Sequence, residues 1–163
     1  MWMAGACLLL AAGCGDGSTG PEDRLGGGTP HFEGGGLSLT AVVPVDTLRA
    51  GETTTAEFRL RNKTGSEITI HFNSGGQVLP FIVQDPGRTV VYPQGGWWGC
   101  TAALTTLTLA GGETRTVPVQ IERGTGPMHH GRVSLPPGRY ELFAEVTGRD
   151  LTLRSKADTL VVQ

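Results

Sequence analysis

The sequence predicts an all-β fold, an antiparallel β-sandwich of about seven to nine short strands. Three observations predict it. Glycine and proline number 26 and 10 among 163 residues, well above an average usage of about 12% for the two together, which disfavours long helices. Apolar residues recur with a period of two from Leu37 onward, and turn-forming residues interrupt them at intervals of about ten. No window of about 12 residues carries a helical period.

The first element, residues 1–13, reads as a lipoprotein signal peptide. Trp2 to Ala12 is apolar and far shorter than the ~20 residues that span a bilayer. It ends in Ala11-Ala12-Gly13-Cys14, which resembles the bacterial lipobox, with small residues beside the cleavage point and a cysteine whose sulfur takes the lipid. Cys14 is therefore the expected lipidation site, and the expected location is the bacterial cell envelope, periplasmic or surface-facing. Residues 14–36 follow as a tether. Gly15 to Gly36 holds nine glycines and no Val or Ile, so it cannot bury a core. As a flexible coil it would reach roughly 25 Å. Gly15-Asp16-Gly17-Ser18-Thr19-Gly20 has the letters of a dinucleotide fingerprint, but that motif requires a preceding strand and a following helix, and Pro21 comes next.

The third element, residues 37–163, carries the strands. Leu37, Leu39 and Ala41 alternate with polar residues, as do Ala56, Phe58 and Leu60. Asn62-Lys63-Thr64-Gly65 reads as a turn, followed by Ile68, Ile70 and Phe72. Phe81 and Val83 come next, a turn at Pro86-Gly87 follows, and then Val90, Val91 and Tyr92. Leu107 and Leu109 precede the Gly111-Gly112 turn, after which Val117, Val119 and Ile121 alternate with polar neighbours. Pro118 lacks a ladder N–H, so this strand is expected at an edge or a bulge. Tyr140, Leu142, Ala144 and Val146 give the cleanest alternation, and Leu160 to Val162 closes the chain.

Several segments together resemble one family. They are Phe58-Arg59-Leu60-Arg61-Asn62-Lys63-Thr64, Ile68-Thr69-Ile70-His71-Phe72-Asn73-Ser74-Gly75-Gly76-Gln77 and Phe81-Ile82-Val83-Gln84-Asp85 with Gly87 and Val90-Val91-Tyr92. Leu107-Thr108-Leu109-Ala110-Gly111-Gly112-Glu113 and Pro137-Gly138-Arg139-Tyr140-Glu141-Leu142 complete the series. In order and spacing they resemble the intracellular proteinase inhibitor domains called BsuPI. The resemblance implies an immunoglobulin-like β-sandwich and inhibition of a proteinase.

Candidate sites are few. Gly95-Gly96-Trp97-Trp98-Gly99-Cys100 is an unusual loop, because adjacent Trp residues in a strand would face opposite ways. Trp97 and Trp98 either cap the open end of the core or anchor a protein partner. Met128, His129 and His130 form the second candidate partner loop. Cys100 reads first as buried and inert, with reactive and intermolecular alternatives open. His129 and His130 with His71 and Cys100 lack any zinc-site spacing, so no metal and no cofactor are expected. His71 is expected to point outward, and Asp85 before Pro86 reads as a turn former.

The formal net charge is -2 and no basic run occurs, which argues against nucleic acid as a partner. There is no GxSxG and the acids of residues 37–163 are scattered singly along the strands, which argues against an enzyme. The reading is a lipid-anchored module that touches the membrane through its N-terminal lipid and binds another protein, with a proteinase as the partner the resemblance implies. The alternative is a structural or assembly accessory of the envelope without inhibitory activity.

Overall fold

Alternation along Thr53–Asn62 sets the architecture: Ala56, Phe58 and Leu60 are fully buried while Thr55, Arg59 and Arg61 face water. A strand with one apolar face must pack that face against another layer. The computed structural model describes residues 36–73, 75–93, 104–126 and 131–163. Twelve strands lie among them: β1 (Leu37–Val42), β2 (Thr47–Leu48), β3 (Thr53–Asn62), β4 (Ile68–Phe72), β5 (Leu79–Asp85), β6 (Thr89–Tyr92), β7 (Thr105–Leu109), β8 (Thr114–Arg123), β9 (Arg132–Leu135), β10 (Gly138–Thr147), β11 (Thr152–Arg154) and β12 (Asp158–Val162). The fold is all-β, as expected. One sheet has the order β1-β3-β8-β9, and the other β2-β12-β10-β5-β6 with β11 also on β10. A separate ribbon pairs β4 with β7.

The nine anticipated strands are all present, and β2, β9 and β11 add to them. Each of the three is short, between two and four residues, too short to show a period. Two pairings are parallel, β8 with β9 and β12 with β2; the rest are antiparallel.

The main core fills the space between the sheets. Tyr140, Leu142, Ala144 and Val146 of β10 face Phe58 and Leu60 of β3 and Val119 and Ile121 of β8 in one cluster. Each large side chain so buried contributes about 1.5–3 kcal/mol. The Tyr140 hydroxyl donates to Pro136 O at 2.7 Å, the tyrosine corner of immunoglobulin-like sandwiches.

On β5 both faces are buried. Ile82 joins the main core, whereas Phe81 and Val83 lie on the opposite face with Phe143 in a second cluster. Phe81 and Phe143 stack with centroids 5.2 Å apart, and the Arg154 guanidinium lies 4.0 Å from the Phe143 centroid. Phe81-Ile82-Val83 is continuously apolar, so a two-residue period cannot choose which face points inward.

Asn62 closes β3 with its side chain. Its Nδ2 donates to Ser66 O, Leu109 O and Ala110 O at 2.7, 3.1 and 3.0 Å, and its Oδ1 accepts from Thr64 N and Thr64 Oγ1 at 2.9 and 2.7 Å. The turn expected at Asn62-Lys63-Thr64 is thus tied to the β4–β7 ribbon. A Cβ at Gly111 would lie 2.5 Å from the Gly65 carbonyl carbon, so only glycine lets these two turns touch.

Pro118 sits in β8, an interior strand, yet its missing N–H costs no pairing. Gln120 N donates to Gly131 O, so even-numbered residues of β8 aim their N–H groups toward β9. Pairing with β9 begins only at Gln120, one step past Pro118. The expected edge character is therefore local.

Candidate functional site

Where β6 ends and β9 begins, the two sheets meet along one side of the sandwich. Tyr92, the last residue of β6, is only 5% exposed because its ring belongs to the main core. Its hydroxyl accepts a long hydrogen bond from Gly131 N at 3.4 Å. Gly131 has φ +75° and passes its carbonyl to Gln120 N at 2.8 Å, a left-handed conformation in which a side chain would be strained.

Strand β9 is then held to β8 through side chains as well as backbone. Glu122 Oε2 accepts from Arg132 at 2.6 Å and Glu122 Oε1 from Ser134 Oγ at 2.7 Å. The hydrogen bonds from Arg132 and Ser134 hold the Glu122 carboxyl below its ordinary range. A carboxylate accepting two such bonds favours its charged form.

This side carries the roots of both candidate partner loops. Residues 94–103 leave from Pro93 and return at Leu104, which is 72% exposed; residues 127–130 return at Gly131. The structure brings Tyr92 and Gly131 together, so the residue pair that precedes the first candidate segment and the residue that follows the second meet at one junction. Trp97, Trp98, Cys100, Met128, His129 and His130 themselves lie outside the described residues, as does Cys14. The Tyr92 hydroxyl, Glu122, Arg132 and Ser134 were not singled out by sequence. Only their positions beside glycine-flanked loops could have drawn attention to them.

The remaining candidates are placed as turn and surface residues. His71 is exposed on β4 opposite Thr106, as expected. Asp85 ends β5 before the Pro86 turn and pairs with Arg139 at 3.5 Å. Among the described residues no group of three or more His, Cys, Asp or Glu could hold a metal ion. A concavity of about 90 Å³ is lined by Val83, Gln84, Asp85, Pro86, Arg88 and Glu141, well under the roughly 300–1,000 Å³ of sites that enclose a small-molecule ligand. What the arrangement offers among the described residues is a packed frame in which Tyr92 and Gly131 hold one end of each candidate segment together.

The family model for "BsuPI: Intracellular proteinase inhibitor" matches residues 42–151. A search of curated proteins finds no match. Among solved structures, the sporulation control protein Spo0M from Bacillus subtilis is similar at 10% identity and a TM-score of 0.46, over 79% of this chain and 50% of that one. The CARDB domain of a Pyrococcus furiosus protein, solved with di-metal ions, is similar at 13% identity and a TM-score of 0.40, over 77% and 91%. A β-glucosidase from Listeria innocua, solved with gluconolactone, is similar at 15% identity and a TM-score of 0.41, and the chain spans 16% of that enzyme's length. None of these structural likenesses bears on activity.

Proposed function

The chain belongs to the BsuPI family of intracellular proteinase inhibitors, matched across residues 42–151, and from that premise we propose that it is a proteinase-binding module held at the bacterial envelope by a lipid on Cys14. The family match is the observation that carries the reading; it is an inhibitor family and not an enzyme family. The geometry supports it. An inhibitor gains affinity when the elements that dock are positioned before binding, because less conformational freedom is lost on association. Here the Tyr92–Gly131 junction holds one end of each candidate segment at a sheet edge with the main core behind it.

In this reading Trp97 and Trp98 are the anchors, since large aromatic side chains dominate binding energy at protein interfaces. Met128, His129 and His130 contribute the neighbouring contacts. The apolar segment and lipobox direct the module outside the cytoplasm, so the target is a proteinase of the periplasm or cell surface.

The test is inhibition of proteinase activity in envelope extracts by the purified full chain in detergent. Micromolar protein slows a proteinase, and Trp97→Ala with Trp98→Ala weakens inhibition by about tenfold or more. Absence of inhibition together with absence of any retained proteinase would overturn the proposal in favour of a structural accessory. The address is tested separately: Cys14→Ser moves the protein from the membrane fraction to the soluble one, and a wild type that is already soluble would refute it.

A further inference from the structure

We propose that β1 is a self-pairing edge through which two copies of this chain join their four-stranded sheets into one continuous sheet. Among the described residues strand β1 is the outermost strand of its sheet and pairs only with β3. Its sequence, LSLTAV, has no charge, no proline and no bulge, which are the devices that ordinarily protect an edge. The other edges of the two larger sheets are guarded or short. β9 begins with Arg132, β6 is bounded by Arg88 and Pro93, and β2 has two residues.

The direction of the backbone groups follows from two contacts. Lys63 N donates to Gly36 O, so Gly36 faces β3 and, by alternation, Leu37, Leu39 and Ala41 turn their N–H and C=O groups outward. Val43 N, in the same phase, is taken by Asp158 Oδ2 at 2.9 Å. The outward backbone groups of β1 therefore end at Ala41. The same three residues point their side chains at the core, while Ser38, Thr40 and Val42 face the other way.

These facts select a second copy as the occupant and fix its register. Residues opposite one another in an antiparallel pair share a face, so a pairing that continues both faces sets Leu37, Leu39 and Ala41 opposite their own kind. With Leu39 opposite Leu39 of the second copy, Leu37 meets Ala41 in both directions, and every outward group of β1 finds a partner. Centring on Thr40 instead would oppose Leu37 to Val43, whose N–H is already used. In the Leu39-centred register Ser38 stands directly opposite Thr40 of the second copy on the outer face. No like charges meet, because the strand has none. A six-residue edge buries less than the roughly 1,200 Å² of a standard stable interface, so the pairing is weak and reversible.

Sedimentation equilibrium of the full chain in density-matched detergent tests this. The wild type is expected to pass from monomer to dimer between about 10 μM and 1 mM. The Ser38→Lys/Thr40→Lys variant, with like charges directly opposite, stays monomeric with an unchanged circular dichroism spectrum, and so does Ser38→Glu/Thr40→Glu. Mixing the two variants restores a dimer containing one of each. A wild type that is monomeric throughout overturns self-pairing and leaves the edge to an extended segment of another protein. A lysine variant that dimerises like the wild type, or variants that fail to pair when mixed, also overturns it.

Discussion

Tyr92 Oη accepts from Gly131 N at 3.4 Å across the side of the sandwich where β6 of one sheet meets β9 of the other. The bond is long, and its ring anchor is the stronger part of the interaction. Tyr92→Phe keeps the ring in the core and deletes the acceptor, so the expected loss is about 0.5–1.5 kcal/mol. Urea unfolding measures the loss, and hydrogen exchange locates it. Faster exchange at Gly131 with little change in the β3 amides is the expected pattern.

Asn62 is completely buried and uses both ends of its amide. Asn62→Ala leaves the Leu109 and Ala110 carbonyls without that donor and frees the Thr64 turn. A loss of about 3 kcal/mol or more is expected, since each buried polar group left unsatisfied costs about 1–3 kcal/mol. Chemical denaturation of the variant checks it; a loss under about 1 kcal/mol would contradict the clasp. The Asn62-Lys63-Thr64 triplet also reads as a glycosylation acceptor, but the Nδ2 atom that would carry a glycan is occupied. Folded protein should remain unmodified when offered to an oligosaccharyltransferase.

Burial pushes the Tyr140 phenol above its ordinary value. Between the unfolded value, about 10, and the higher folded one, the unfolded chain releases a proton that the folded protein keeps. Stability contributed by the neutral phenol is therefore full below about pH 10 and declines as pH rises further. Tyr140→Phe should lower stability by about 1–2 kcal/mol at pH 7 through loss of the bond to Pro136 O. It should also flatten the decline, which urea midpoints at pH 8 and pH 10.5 compare directly.

Glu122 behaves in the opposite sense. Its carboxyl is held below its ordinary range by Arg132 and Ser134, so the charged form supports β9 at neutral pH. That support is present above the unfolded value near 4.3 and is lost as pH falls through the folded one. Protection of the Val133 and Leu135 amides should weaken on acidification before the β3 amides respond. Glu122→Gln should show the weakened protection already at pH 7.

Arg154 joins two kinds of contact, lying 4.0 Å from the Phe143 centroid and 3.9 Å from Glu145. Arg154→Ala should cost about 1–2 kcal/mol by removing the cation–π contact and the aliphatic stem that covers the ring. Arg154→Met, which restores the stem alone, should recover part of it. Equal losses in the two variants would argue against a packing role.

The parts of the fold that sequence made legible are those where one face is polar. On β3 and β10 the alternation of Ala56, Phe58, Leu60 and of Tyr140, Leu142, Ala144, Val146 survives intact as the main core. On β5 both faces are covered, so a period of two does not tell Phe81 and Val83, which pack with Phe143, from Ile82, which joins the main core. The residues β2, β9 and β11 contribute were invisible for a different reason: pairs made by a few residues depend on neighbours far away in sequence. The candidate site divides similarly. Gly-Gly-Trp-Trp and Met-His-His stand out by composition and lie outside the described residues, whereas the hydroxyl of Tyr92 has no local signal, because its partner Gly131 leads into the other sheet.

Gly36 lies beside Lys63 at one end of β3, and Gln163 donates to Leu48 O near its other end. The described chain thus enters and leaves at opposite poles, separated by a ten-residue strand of about 33 Å. A stretching force applied between these termini runs parallel to the strands. It would shear the β1–β3 and β10–β12 ladders, challenging their hydrogen bonds together, instead of peeling them open singly. Pulled along this axis, the sandwich is mechanically a clamp.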